Sequence, residues 1–185
     1  MRYVDPDGRE IYISVVDEAI VDYINKYSFY QYKLNEDGYL ERDFSKPNNE
    51  NNSRDYSYKI DQAIKSDCHI TIRISNMHIT PEGYVYTTDL NNDAGGGATS
   101  YRESLNRITI TINSAYYNNY ITVIDKSGQQ KEIKESPEEI LIHELAGHAV
   151  PMLLQRNGNA IQIENYIRLE LNLNIRLMED NHSCY

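Results

Sequence analysis

Tryptophan is missing from this 185-residue chain, and phenylalanine occurs only twice, as Phe29 and Phe44. The aromatic load falls on seventeen tyrosines, whose hydroxyls need partners when buried. Many of them are therefore expected at the core margin or on the surface. Cysteine is equally scarce: Cys68 and Cys184 cannot build a disulfide framework and read as two spare thiols. No apolar run approaches the roughly 18 residues of a membrane-spanning helix, and no basic stretch followed by an apolar one marks a signal peptide. Basic residues are in deficit, 18 against 28 acidic, for a net charge of −10. Nucleic-acid binding draws on clustered Lys and Arg, and no such cluster is present, so a nucleic-acid partner is disfavoured. An acidic body suits a basic partner surface or simply solubility.

What is present reads as a folded chain, with 40% hydrophobic and 25% charged residues and enough length for one sizeable core. Val16, Ala19, Ile20, Tyr23, Ile24 and Tyr27 recur at helical spacing and predict a helix over 15–27. From Leu34 to Asp55 that pattern dissolves into polar residues, so 34–55 is expected to be a surface loop or disordered insert. Ile60, Ala63 and Ile64 predict a short helix over 57–66. Segments 69–75 and 107–113 alternate isoleucine with polar residues and predict strands that each bury one face. Shorter strands are expected at 83–88, 120–124 and 130–134. Between them 91–100 is glycine-rich but lacks a phosphate-loop pattern, and reads as a flexible connection or a close approach to a substrate backbone. Helices, then a mainly antiparallel sheet, then helices again give an α+β fold.

The chemistry concentrates near the C-terminus. Ser136-Pro137-Glu138-Glu139 opens a helix with a serine N-cap, a proline in the first turn and a glutamate that closes a capping box. That helix carries His143-Glu144-Leu145-Ala146-Gly147-His148. In the common zinc protease motif two histidines stand four residues apart and face one metal. Here they stand five apart, about 140° round a regular helix. A one-residue π-type bulge would bring His148 back. Gly147 tolerates unusual dihedrals, and Pro151 has no N–H for the carbonyl of Gly147. The helix is therefore predicted to leave α-geometry between Leu145 and Pro151.

This arrangement resembles the His-Glu-x-x-Gly-His motif of the dipeptidyl peptidase III family of metallopeptidases. The resemblance implies that His143 and His148 bind Zn2+ and that Glu144 is the catalytic general base. A zinc protease site needs a third protein ligand and an open position for water. The downstream candidates are Glu164, Glu170, Glu179, Asp180 and His182. A second helix is predicted over 159–171, with Glu164 at the border of its inward face; an exposed pairing of Glu164 with Arg168 is the plainer alternative. Peptidases of the thermolysin-like (gluzincin) class take their third ligand from a glutamate on the helix after the motif, and that resemblance implies Glu164. His69 and His78 read as structural or exposed. His182 is a candidate transition-state donor or alternative ligand, the donor role being open also to a tyrosine.

At the other end, Tyr3-Val4-Asp5-Pro6-Asp7-Gly8 resembles the stretch that closes the core of Rhs (YD-repeat) proteins ahead of their variable C-terminal toxin domains. Residues 1–9 are then a junction and 10–185 a single zincin-like toxin domain. The resemblances together imply a zinc metallopeptidase that is secreted or delivered into a target cell and cleaves a protein or peptide. Its partners would be the parent Rhs core and a cognate immunity protein. An edge strand, 107–113 or 120–124, is expected to pair with extended substrate. Two other readings stay open: a zinc-binding interaction module without turnover, and a zinc amidohydrolase with a non-protein substrate.

Overall fold

The computed structural model describes residues 13–15, 17–90, 95–113 and 119–178. The junction at 1–9, Cys184 and the candidate ligands Glu179, Asp180 and His182 lie outside the described residues. The fold is mixed α+β, and its main sheet has four strands in the order β1 (Ile13–Val15), β4 (His69–Ile74), β8 (Arg107–Ile112) and β7 (Gly97–Arg102). β1, β4 and β8 run parallel, and β7 is antiparallel to β8. This sheet is therefore mixed rather than mainly antiparallel. The long excursion between β4 and β8 lets the second isoleucine strand return in the direction of the first, and β7 turns directly into β8 through Glu103–Leu105. The smaller sheets are antiparallel: β2 (Tyr32–Leu34) with β3 (Leu40–Arg42), β5 (Met77–Ile79) with β6 (Val85–Asp89), and β9 (Tyr120–Ile124) between β10 (Gln130–Lys134) and β11 (Ile175–Arg176).

Ile70, Ile72, Ile108, Ile110 and Ile112 are fully buried and form one wall of the core. The alternation predicted for both strands thus does its expected work, because residues two apart share a face. β8 buries its second face as well: Thr109 and Thr111 are covered, and Thr111 Oγ1 accepts a hydrogen bond from the backbone N–H of Ile79. The opposing wall is helical. It comprises α1 (Ala19–Tyr27), α2 (Arg54–Ile64), α3 (Pro137–Ile142) and its continuation, and α5 (Ala160–Glu170).

Two expectations change here. The helix predicted over 15–27 begins only at Ala19, since β1 occupies the start of that span. The polar stretch 34–55 is an ordered strap: β3 lies within it, and backbone hydrogen bonds run from Asn49 to Phe29 and from Ser53 to Tyr27. Asn52 and Ser53 supply the polar contacts that apolar periodicity cannot register; Asn52 Nδ2 donates to the Lys26 carbonyl and Ser53 caps α2. The tyrosines divide. Tyr58, Tyr84, Tyr120 and Tyr166 are exposed, whereas Tyr32 and Tyr56 are buried in the core. The Tyr32 hydroxyl is bonded to Asp61 and to the Ser57 carbonyl. No helix among the described residues is long and apolar enough to cross a membrane.

The topology also moves the open sheet edge. β8 lies between β4 and β7, and β9 lies between β10 and β11. Neither 107–113 nor 120–124 is therefore an edge. The main sheet ends instead in β1 and β7, and the first residues of β7 fall in the stretch read as a glycine-rich connection.

Candidate metal centre

Ser136 and Glu139 close the capping box on both sides, with Pro137 in the first turn. α3 runs from there into a π-helical segment, His143–Ala149, which passes into α4 (Val150–Leu153). The backbone N–H of Val150 donates to the Leu145 carbonyl five residues back, the hydrogen bond that defines the π form. The departure from α-geometry predicted over 145–151 is present, and it starts two residues earlier. Gly147 serves it differently than expected. A Cβ there would lie 3.0 Å from the Ala160 carbonyl oxygen and 3.1 Å from the Ala160 Cβ. Glycine thus lets α5 approach closely, where any side chain would press on Ala160.

The widened turn brings the two histidines onto one side. His143 Nε2 and His148 Nε2 lie 3.2 Å apart, with ring planes 81° to one another. Two imidazole nitrogens on a tetrahedral zinc, at Zn–N of about 2.05 Å, stand about 3.3 Å apart. One carboxylate oxygen of Glu144 joins them, so that the three ligand atoms fall within 4.8 Å of one another. His143 and Glu144 are buried, and His148 is half-buried. The donor set of two imidazoles and a carboxylate is the chemistry of a zinc site, and these residues fit that ion.

Glu144 is held from the sheet side. Thr99 Oγ1 on β7 donates to Glu144 Oε2 at 2.7 Å. A Cβ at Gly97 would meet Glu144 Cγ at 2.7 Å and Oε1 at 2.8 Å, so the carboxylate rests on bare backbone. Thr99 and Gly97 escape a reading of the sequence because their role depends on β7 lying beside the π segment, a juxtaposition across more than forty residues of chain. A glycine beside a β-branched polar residue, in a stretch able to form a strand, is the available signal.

Glu164, expected as the third metal ligand, takes a different place. It is fully buried on α5, and it stands behind His143: its Oε2 accepts from His143 Nδ1 at 2.8 Å and its Oε1 accepts from Arg168 Nε at 2.5 Å. A carboxylate on the far nitrogen fixes the tautomer and leaves the Nε2 lone pair facing His148. The plainer alternative, an exposed Glu164–Arg168 pair, is likewise replaced, since Arg168 is 1% exposed. Glu170 points elsewhere; its Oε2 accepts from Ser53 Oγ and from the Asp55 backbone N–H, capping α2. His69 lies on β4, and His78 lies on β5, its Nε2 2.5 Å from Ser100 Oγ.

Burial opposes charge on His143, yet the hydrogen bond and charge of Glu164, with the charge of Glu144, outweigh it and raise its pKa. Burial likewise pushes Glu164 up, and His143, Arg168 and Arg176 together hold it below the ordinary carboxylate range. The neighbouring carboxylates thus favour positive charge on the His143 imidazole. The chain matches no protein-family model, no curated protein and no solved structure.

Proposed function

We propose that this protein is a zinc-dependent hydrolase whose metal is held by Nε2 of His143 and of His148. A zinc ion bound there supplies a Lewis acid that polarises a carbonyl and acidifies water. Glu144 is the proton carrier beside it: buried, within reach of both histidines, and held through Oε2 by Thr99, it serves as the general base. Glu164 orients His143 and takes no place on the metal.

Within that class we infer a peptidase, and by the resemblance of residues 3–8 an Rhs-type toxin domain, delivered into a target cell and restrained by a cognate immunity protein. β7 supports the peptide substrate. Asn113 N–H donates to the Gly96 carbonyl, and the alternation of an antiparallel ladder then turns the backbone groups of Gly97, Thr99 and Tyr101 outward. No other described strand pairs with that edge. An extended peptide added there would pass directly over Glu144.

The observation that carries the proposal is the 3.2 Å convergence of the two Nε2 atoms on a π-helical turn. Metal analysis of purified protein, followed by Glu144→Gln, tests it. Zinc should be present at one per chain and retained in the variant, while toxicity and proteolysis are lost. Unchanged toxicity in a zinc-loaded Glu144→Gln protein would mean a binding module without turnover.

A further inference from the structure

Behind Glu164 lies a buried guanidinium that the chemistry described so far does not use. Arg168 Nε donates to Glu164 Oε1, Nη2 donates to Glu135 Oε1 at 3.1 Å, and Nη1 donates to Glu139 Oε1 and to the Asn174 carbonyl, each at 3.3 Å. Glu135 and Glu139 flank the start of the helix that carries the histidines, and Glu139 is itself the capping-box residue. The fork therefore fastens α5 to the base of the metal-bearing helix at fixed spacing. Its third arm holds one oxygen of the carboxylate whose other oxygen holds His143.

We propose that Arg168 is a positioning residue for the metal centre: through Glu164 it fixes the ring of His143 so that Nε2 faces His148. This rests on the reading of His143 and His148 as metal ligands. A carboxylate held at one oxygen alone can turn about its terminal bond and take the imidazole with it. Holding both oxygens, one by a planar guanidinium and one by Nδ1–H, removes that freedom. Lysine would supply the same charge without the rigid fork, which is why the residue type matters. A purely structural ion pair would end at Glu164. Here the connection continues through the imidazole to the nitrogen that faces the second ligand.

The test uses the full chain, with zinc and cobalt as probes. Arg168→Lys keeps the charge and loses the fork. Arg168→Met combined with Glu135→Gln and Glu139→Gln removes the fork together with two of the carboxylates it neutralises, so that folding does not founder on unpaired charge. Arg42→Lys, in the remote Arg42–Asp61 pair, reports what a buried ion pair contributes to stability alone. Zinc affinity by chelator competition should fall roughly 10–100-fold in both Arg168 variants, the effect usual for outer-shell partners. The visible bands of the cobalt form should change with it, whatever the melting temperatures. Arg42→Lys should lower the melting temperature and alter neither. Wild-type affinity and spectrum in a folded Arg168 variant would overturn the positioning role, as would an affinity loss that merely tracks melting temperature through all three proteins. A different result sinks the metal reading itself: wild-type protein that binds neither ion, or unaltered binding in His143→Ala.

Discussion

Among the described residues two ion-pair clusters can be compared, and they are balanced differently. Around α2, Arg42 pairs with Asp61, the Tyr32 hydroxyl completes the carboxylate, and the Arg42 guanidinium stacks 3.5 Å over the Tyr30 ring. One cation meets one anion. Around α5, Arg168 and Arg176 meet Glu135, Glu139 and Glu164, so two guanidinium groups face three carboxylates. That second cluster is one positive charge short, and Glu164 Oε2, which Arg176 Nη1 reaches at 3.5 Å, also contacts His143 Nδ1 at 2.8 Å. The balanced pair holds the fold, whereas on the proposed reading a metal on His143 would complete the unbalanced one.

The largest expected contrast comes from removing a member at the end of each cluster. His143→Ala or His148→Ala should abolish stoichiometric zinc binding, because a single remaining imidazole makes a weak site. Asp61→Asn should leave zinc binding unchanged and destabilise the fold by about 2 kcal/mol, the scale of a charged hydrogen bond lost at a partly buried site. Calorimetric zinc titration and chemical denaturation of the three variants separate the two. Loss of zinc in Asp61→Asn would show that the clusters are not independent.

A smaller contrast lies within α5. Glu164→Gln should weaken zinc roughly 10–100-fold without eliminating it, as for the partner of a ligand and not the ligand itself. Glu170→Ala should leave zinc affinity alone and cost about 1 kcal/mol, since it removes a cap from α2. A complete loss of zinc in Glu164→Gln would return that residue to direct coordination. Because His143 must be neutral to ligate a metal, zinc affinity should also fall steadily as pH drops below its raised pKa.

How much of this is legible in the sequence follows the range of the interactions. Local signals carry well: the isoleucine alternation of β4 and β8, the capping box at Ser136, and the five-residue histidine spacing that demands a π turn. Each is decided within a few residues of chain. What fails to read out depends on pairing across the sequence. Strand order decides which edge is open, and nothing in 97–102 announces that β7 flanks β8. The same holds for Arg168. Its spacing from Glu164 is that of an ordinary exposed helix pair, and only the docking of α5 on the base of α3 turns it into a buried hub.

The smallest effect concerns how the unbalanced cluster manages its surplus charge before any metal arrives. Burial and the neighbouring charge of Glu164 push the Glu135 carboxyl up, to about 7, against the pull of Arg176, Arg168 and His143. Its ordinary value is 4.5, so between these limits the folded protein binds a proton that the unfolded chain has released. Stability contributed by this group is complete below the ordinary value and declines as pH rises towards and past 7. Glu164 works in the opposite sense and at lower pH, since its depressed pKa gives stability that is lost only on acidification below the ordinary carboxylate range. Glu135→Gln keeps an acceptor for Arg168 and removes the proton equilibrium. Each unit of pKa shift corresponds to about 1.4 kcal/mol, but the weaker attraction of a neutral amide for Arg168 and Arg176 offsets part of the gain. The metal-free variant should therefore exceed wild type by about 1 kcal/mol at pH 8 and match it at pH 5. Denaturant unfolding in the presence of a chelator, at pH 5, 6.5 and 8, provides the comparison. Parallel profiles for variant and wild type would mean that Glu135 is charged throughout, and that the surplus is carried by His143 alone.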